Sequence, residues 1–84
     1  MIINLYTVDN KFIKETNMFT YNFTGKLKWP NGETSWRLNG KFHRIGGPAY
    51  IWHNGDEEWW IDNKIVTKEE HDLLYDIMKL KGLI

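Results

Sequence analysis

Three histidines, His43, His53 and His71, are the side chains of this sequence best suited to hold a metal or move a proton, and their placement argues against both. No pair has the short helical or turn spacing of a zinc site. The chain has no cysteine, so no thiolate could complete a tetrahedral ligand set. His71 falls in the first turn of a predicted helix beside acidic neighbours and is expected at the surface. The carboxylate clusters Asp56-Glu57-Glu58 and Glu69-Glu70 could do acid–base work only if an apolar setting raised a pKa. Instead they follow a turn or open a helix, where anions are favoured for structural reasons. Ser35, the single serine, lies beside Trp36 in a strand pattern rather than on a sharp elbow. These residues imply no enzyme, no metal and no cofactor.

Recognition chemistry is better represented. Lys26, Lys28, Arg37 and Lys41 interleave with Phe42 and Trp60, the pattern a single-strand nucleic-acid groove requires, because bases stack on aromatic faces while lysines track phosphates. Trp60 with Ile51 and Arg37 also fits the anchor chemistry of protein interfaces, where Trp and Arg carry disproportionate energy. Arg44 is expected to stack on a tryptophan or tie down loop carbonyls, since a planar guanidinium suits both tasks. Net charge is zero, but residues 11–44 hold seven basic side chains against Glu15 and Glu33. Residues 45–72 hold seven acidic ones against Lys64 and Lys68. Such a dipolar chain could steer an anionic partner with one half and a cationic one with the other.

The elements that must position these side chains are repeated. Trp29-Pro30-Asn31-Gly32-Glu33 with Trp36 and Lys41 returns 23 residues later as Trp52-His53-Asn54-Gly55-Asp56 with Trp59 and Lys64. A segment that returns with its turn and both tryptophans in register is one supersecondary unit used twice. A shorter echo joins Val8-Asp9-Asn10-Lys11-Phe12, Leu38-Asn39-Gly40-Lys41-Phe42 and Ile61-Asp62-Asn63-Lys64-Ile65, each an apolar residue, a turn pair, lysine and an apolar residue. Strands are predicted near residues 2–8, 11–14, 18–23, 26–29, 33–38, 48–52 and 57–61, joined as a meander. Alternation puts Phe19, Tyr21, Phe23, Leu27, Trp29, Trp36, Leu38, Tyr50, Trp52, Trp59 and Ile61 on one face. Lys26, Lys28, Ser35, Arg37, Ile51, Glu58 and Trp60 take the other. Thr67-Lys68-Glu69-Glu70 reads as a capping box. The helix it opens, to about Lys81, should lay Leu73, Leu74, Ile77, Met78 and Leu80 on the aromatic face.

The segment His43-Arg44-Ile45-Gly46-Gly47-Pro48-Ala49, with Asn39-Gly40-Lys41 before it and the tryptophan-flanked Asn-Gly turn after it, resembles the MORN-like repeat family of bacteriophage and bacterial proteins. Units of that family carry histidine, arginine, two variable positions, then glycine, proline and alanine. The likeness covers about residues 28–70. It departs at Ile45 and Gly46, where acidic residues are usual, and the second unit lacks the His-Arg element. The resemblance implies a twisted antiparallel sheet, a viral or mobile-element origin and no enzyme.

Eighty-four residues make one domain, with thirteen aromatics supplying the buried area that length does not. The expected fold is mainly β: a twisted antiparallel meander of six to seven strands with one C-terminal helix. Residues 1–24 give the N-terminal strands, 25–66 two hairpin repeats and 67–81 the helix. The absence of cysteine, of a basic-then-apolar leader and of a long apolar run leads to the expectation of a cytoplasmic, non-membrane protein. The expected activity is non-enzymatic binding of a host protein, as a phage-encoded inhibitor of a defence or toxin component. Lys28, Arg37, Lys41, His43, Arg44, Ile51 and Trp60 form the expected contact surface. RNA or single-stranded DNA binding through residues 11–44 is the alternative, and self-assembly through exposed strand edges a third reading.

Overall fold

A computed structural model describes residues 2–17 and 22–84 of the chain. Among them are eight antiparallel strands: β1 (Ile3–Tyr6), β2 (Phe12–Thr16), β3 (Gly25–Lys28), β4 (Thr34–Leu38), β5 (Lys41–Phe42), β6 (Tyr50–Ile51), β7 (Glu57–Ile61) and β8 (Lys64–Val66). One helix, α1 (Lys68–Leu80), follows. The fold class expected from sequence is therefore the one observed. β5 and β8 are strands beyond those expected, and the strand expected at 18–23 falls mostly outside the described residues.

Turn chemistry sets the hairpins. In the loop joining β3 to β4, Trp29 N–H donates to Glu33 O (2.9 Å), Gly32 N–H to Trp29 O (3.0 Å) and Glu33 N–H to Asn31 Oδ1 (3.0 Å). In the loop joining β6 to β7, Trp52, Asp56, Gly55 and Asn54 make the same three bonds at 2.8, 2.9 and 3.0 Å. Gly32 (φ 92) and Gly55 (φ 90) take the left-handed position each loop needs. The tighter turns at Asn39-Gly40 and Asp62-Asn63 have positive φ at both residues, the two-residue form that fits strand twist. The third member of the echo differs. At Asp9-Asn10 only Asn10 is left-handed (φ 73), and Thr7 N–H reaches Lys11 O (2.8 Å), so this turn belongs with the wider loops.

The sheet order is β2-β1-β3-β4-β6-β7-β8, with β5 on β4 beside β6. It departs from a pure meander twice: β3 pairs with β1 rather than β2, and β4 pairs with β6 as well as β5. The repeat offset survives intact, since β4 and β7, and likewise β5 and β8, begin at equivalent positions (Thr34 and Glu57, Lys41 and Lys64).

Register corrects the sorting of faces. Leu5 pairs with Leu27, Leu27 with Ser35, Ser35 with Tyr50 and Tyr50 with Glu58. Opposed residues of antiparallel strands project to the same side, so this row defines one face, to which Arg37, Phe42, Trp60 and Ile65 also belong. Trp36, Leu38, Ile51, Trp59 and Ile61 lie on the other face with Lys26, Lys28 and Lys41. The tryptophans do not share a side, because Leu27 and Ser35 keep step across the Trp29–Glu33 loop and Trp36 must point oppositely. Ile3, Leu5 and Leu27 form the buried centre, with Phe23 and Trp29 against it.

α1 is capped as expected: Glu70 N–H donates to Thr67 Oγ1 (3.0 Å) and Thr67 N–H to Glu70 Oε1 (2.9 Å). Its docking face is the expected one only at Leu74 and Met78. Leu73, Ile77 and Leu80 are exposed, while His71, expected at the surface, is 2 % exposed, with Leu74, Tyr75 and Met78 half-buried along the same side. Val66, the last residue of β8, directly precedes the cap. The helix has no slack to rotate, and its first turn lays His71 on Trp59. No helix among the described residues is long and apolar enough to cross a membrane.

Candidate functional site

Two aromatic systems lie back to back on the sheet. On the helix side, Trp36 is covered by the Arg44 guanidinium, whose carbon sits 3.8 Å from the ring centroid. Arg44 Nη1 donates to Pro48 O (3.1 Å). Both roles expected of Arg44 are thus present together. Gly47 is the floor of this clamp, since a Cβ there would lie 2.6 Å from Arg44 Cζ. Ala49, fully buried, accepts the Trp36 N–H (2.8 Å) and donates to Glu58 O (2.9 Å). His43 Nδ1 accepts the Asp62 N–H (3.0 Å), and Arg44 N–H donates to Trp60 O (3.2 Å). The His43–Ala49 segment therefore fastens the first hairpin unit to the second. Burial of Arg44 pushes its pKa below the usual guanidinium value, an effect that the charge of Glu57 opposes.

In the second unit His71 takes the place of Arg44. Its ring stands 4.5 Å from Trp59 and 6.2 Å from Tyr75. Nε2 accepts the Gly46 N–H (3.1 Å), which leaves Nδ1 as the protonated nitrogen facing Asp72 Oδ1 (3.1 Å). Asp72, bonded first by Lys68 and then by His71, is held below the usual carboxylate range.

On the opposite face a ribbon of rings runs Trp60, Phe42, Tyr50, Trp52, with centroids 5.0, 5.7 and 4.7 Å apart in sequence. Arg37 lies 3.9 Å over Phe42 and donates from Nη1 to Gly40 O (3.1 Å). Trp60 Nε1 donates to Glu58 Oε1 (3.0 Å). At the far end Tyr50 donates to Glu33 Oε1 (2.8 Å) and His53 Nδ1 meets Glu33 Oε2 (3.0 Å). These bonds, His53 first and Tyr50 next, hold the Glu33 carboxyl below its ordinary range. Burial, and then the Glu33 carboxylate, push Tyr50 up to about 12. A cleft of about 350 Å³ opens beside it between Trp29, Pro30, Asn31, Glu33 and Tyr50. Trp52 (39 %) and Ile65 (60 %) present apolar surface to solvent here.

The residues expected to form one contact surface are divided. Arg37 and Trp60 belong to the ribbon, but Ile51 is on the other side of the sheet, so the trio of Trp60, Ile51 and Arg37 is not one patch. Lys28 and Lys41 lie on the helix side, Lys41 within 3.5 Å of Asp62, and His43 and Arg44 serve the joint between units. Near Arg44, a cleft of about 390 Å³ is lined by Trp36, His43 and Val8 among others. Phe42, Tyr50, Trp52 and Ile65 extend the ribbon, and of these the sequence singled out Phe42 alone, as a stacking aromatic. Tyr50 falls on this side because it pairs with Ser35, a register set across the 39–49 connection and not by a tight turn that the sequence could count. The described residues hold no cluster of three or more histidine or acidic side chains able to bind a metal ion. Comparison with models of known protein families, with curated proteins and with solved structures found no match.

Proposed function

We propose that this protein is a non-catalytic binding module that grips a protein partner through the aromatic ribbon of Arg37, Phe42, Tyr50, Trp52 and Trp60. The observation that carries the reading is the placement of four linked rings and a stacked arginine on the face that the helix leaves uncovered. Trp, Tyr and Arg supply large contact areas with few torsions to freeze, which is why they anchor protein interfaces. The MORN-like resemblance and the small size support the narrower proposal that the partner is a host defence or toxin protein, inhibited stoichiometrically.

Nucleic-acid binding is less well served by this geometry. Lys26, Lys28 and Lys41 sit across the sheet from the ribbon, so stacking and phosphate contacts would not share one strand of RNA. Affinity capture from bacterial lysate, with and without nuclease, tests the choice. The expected result is one stoichiometric protein, retained after nuclease and at raised salt, and lost with Trp60→Ala plus Trp52→Ala while folding persists. Recovery of nucleic acid alone, released steeply by salt, would overturn it.

A further inference from the structure

The cleft of about 350 Å³ at the Tyr50 end of the ribbon is an aromatic chamber with one charge in it. Trp29 and Tyr50 wall it, Pro30 and Asn31 belong to the loop beside it, and among the described residues that line it Glu33 alone is charged. Trp29 N–H donates to Glu33 O across that loop (2.9 Å), and β4 pairs with β6 through Ser35 and Tyr50, so one corner of the sheet receives all three side chains. The Glu33 side chain is only 14 % exposed, and the bonds from His53 and Tyr50 hold its carboxyl below the ordinary range. Each bond uses a different oxygen, which leaves each oxygen a further lone pair. Among the described residues His53 is its only ion-pair partner, and no lysine or arginine pairs with it.

We propose that this cleft takes the guanidinium of an arginine presented by the partner, a planar cation stacked on the rings and donating to Glu33. That assignment rests on the ribbon's being the face that grips a partner, and it names the side chain gripped there. The chain already uses this chemistry within itself: Arg37 lies 3.9 Å over Phe42 and Arg44 3.8 Å over Trp36. In both pairs the guanidinium also donates to a nearby backbone carbonyl. In the cleft the matching acceptor is a carboxylate, which makes the bond charge-assisted and about twice as strong. Lysine brings a point charge without a flat face to lay on an indole. An anionic side chain would meet like charge, and an apolar one would strip water from the carboxylate for no new bond. The volume is at the small end of ligand sites, which suits one long side chain rather than a cofactor.

Titration of the 84-residue chain with N-acetyl-arginine amide tests the cleft without any partner. The reporter is the nuclear magnetic resonance of the assigned Trp29 Nε1 proton, which has no hydrogen-bond partner among the described residues. A saturable shift with a Kd on the order of 1 mM is expected, weak because one side chain makes the whole contact. The citrulline derivative keeps the shape and loses the charge, and should bind about tenfold more weakly; the lysine derivative should bind about threefold more weakly. Glu33→Gln should weaken arginine binding about tenfold while the rest of the amide spectrum is unchanged. The citrulline comparison stands on the unaltered chain even if that variant misfolds. No saturable shift at Trp29, equal binding of the citrulline or lysine derivative, or binding indifferent to Glu33→Gln in a folded chain overturns the proposal. A chain that fails these tests yet still captures a protein through Trp52 and Trp60 loses the arginine site alone, since the ribbon's role is decided by capture.

Discussion

The two hairpin units are built alike and finished differently. Both close with the same three-bond loop and the same two-residue turn, and both place a tryptophan, Trp36 or Trp59, on the helix side. The first indole is covered by a cation from the next few residues and the second by a buried histidine carried on a helix. In the first unit the chain must continue into another strand pair, so its cover has to be a side chain on a short linker. In the second unit the chain continues into α1, and a whole helix is available. One position further, Arg37 and Trp60 are equivalent in the repeat, and both lie against Phe42. With those two tryptophans under their covers, the ring ribbon lies on the opposite side of the sheet, the side that also carries the buried Leu5, Leu27 and Ser35.

The difference between the covers is best broken by removing each. His71→Ala should cost about 2–4 kcal/mol, since it opens a cavity against Trp59 and orphans the Gly46 N–H. Arg44→Ala should cost about 1–2 kcal/mol, because its half-exposed site can admit water. Urea unfolding of both variants gives the ranking, and equal losses would mean that the helix does not bear on Trp59 as described. Gly47→Ala should cost about 1 kcal/mol by pushing the guanidinium off Trp36, and little when combined with Arg44→Ala, because the clash is then gone.

The ribbon face carries an alkaline pH signature at Tyr50. Tyr50 has a folded pKa raised from 10.0 to about 12. The stability due to its neutral phenol is therefore fully present below pH 10 and lost as the pH rises toward about 12. Tyrosinate absorbance should show the Tyr50 phenol titrating late, and Glu33→Gln should bring it back toward the ordinary range. The smallest effect lies in the turns. Asn63→Gly in the second unit copies Asn39-Gly40 of the first and should stabilise by a few tenths of a kcal/mol, read from the unfolding midpoint.

Much of this comparison was legible in the residues. The duplicated tryptophan-flanked turns gave the unit length, and Thr67 with Glu70 gave the helix start, because both signals are local and depend on backbone amides a few residues apart. Within β4 and β7 alternation did sort the faces, setting Trp36, Leu38, Trp59 and Ile61 opposite Ser35, Arg37, Glu58 and Trp60. The step from strand to strand was not legible, so Leu27, Tyr50 and Ile51 fell on the wrong sides. Here Trp59 and Trp60 are consecutive and must oppose each other. Grouping the tryptophans together required a shift of step across the Trp29–Glu33 loop that the pairing of Leu27 with Ser35 does not make. The burial of His71 was hidden for a related reason. Its i+4 and i+7 partners, Tyr75 and Met78, form a docking line less apolar than Leu73, Ile77 and Leu80. The helix took it because the cap at Thr67 fixes its rotation.

The division of the sheet into a covered and a free aromatic face is tested most directly at those two neighbouring tryptophans, by nuclear Overhauser contacts between assigned ring protons. Trp59 should show cross-peaks to His71, whose ring is 4.5 Å away, and Trp60 to Phe42 at 5.0 Å. Cross-peaks from Trp60 to His71 or Tyr75 would place the ribbon under the helix and contradict that division.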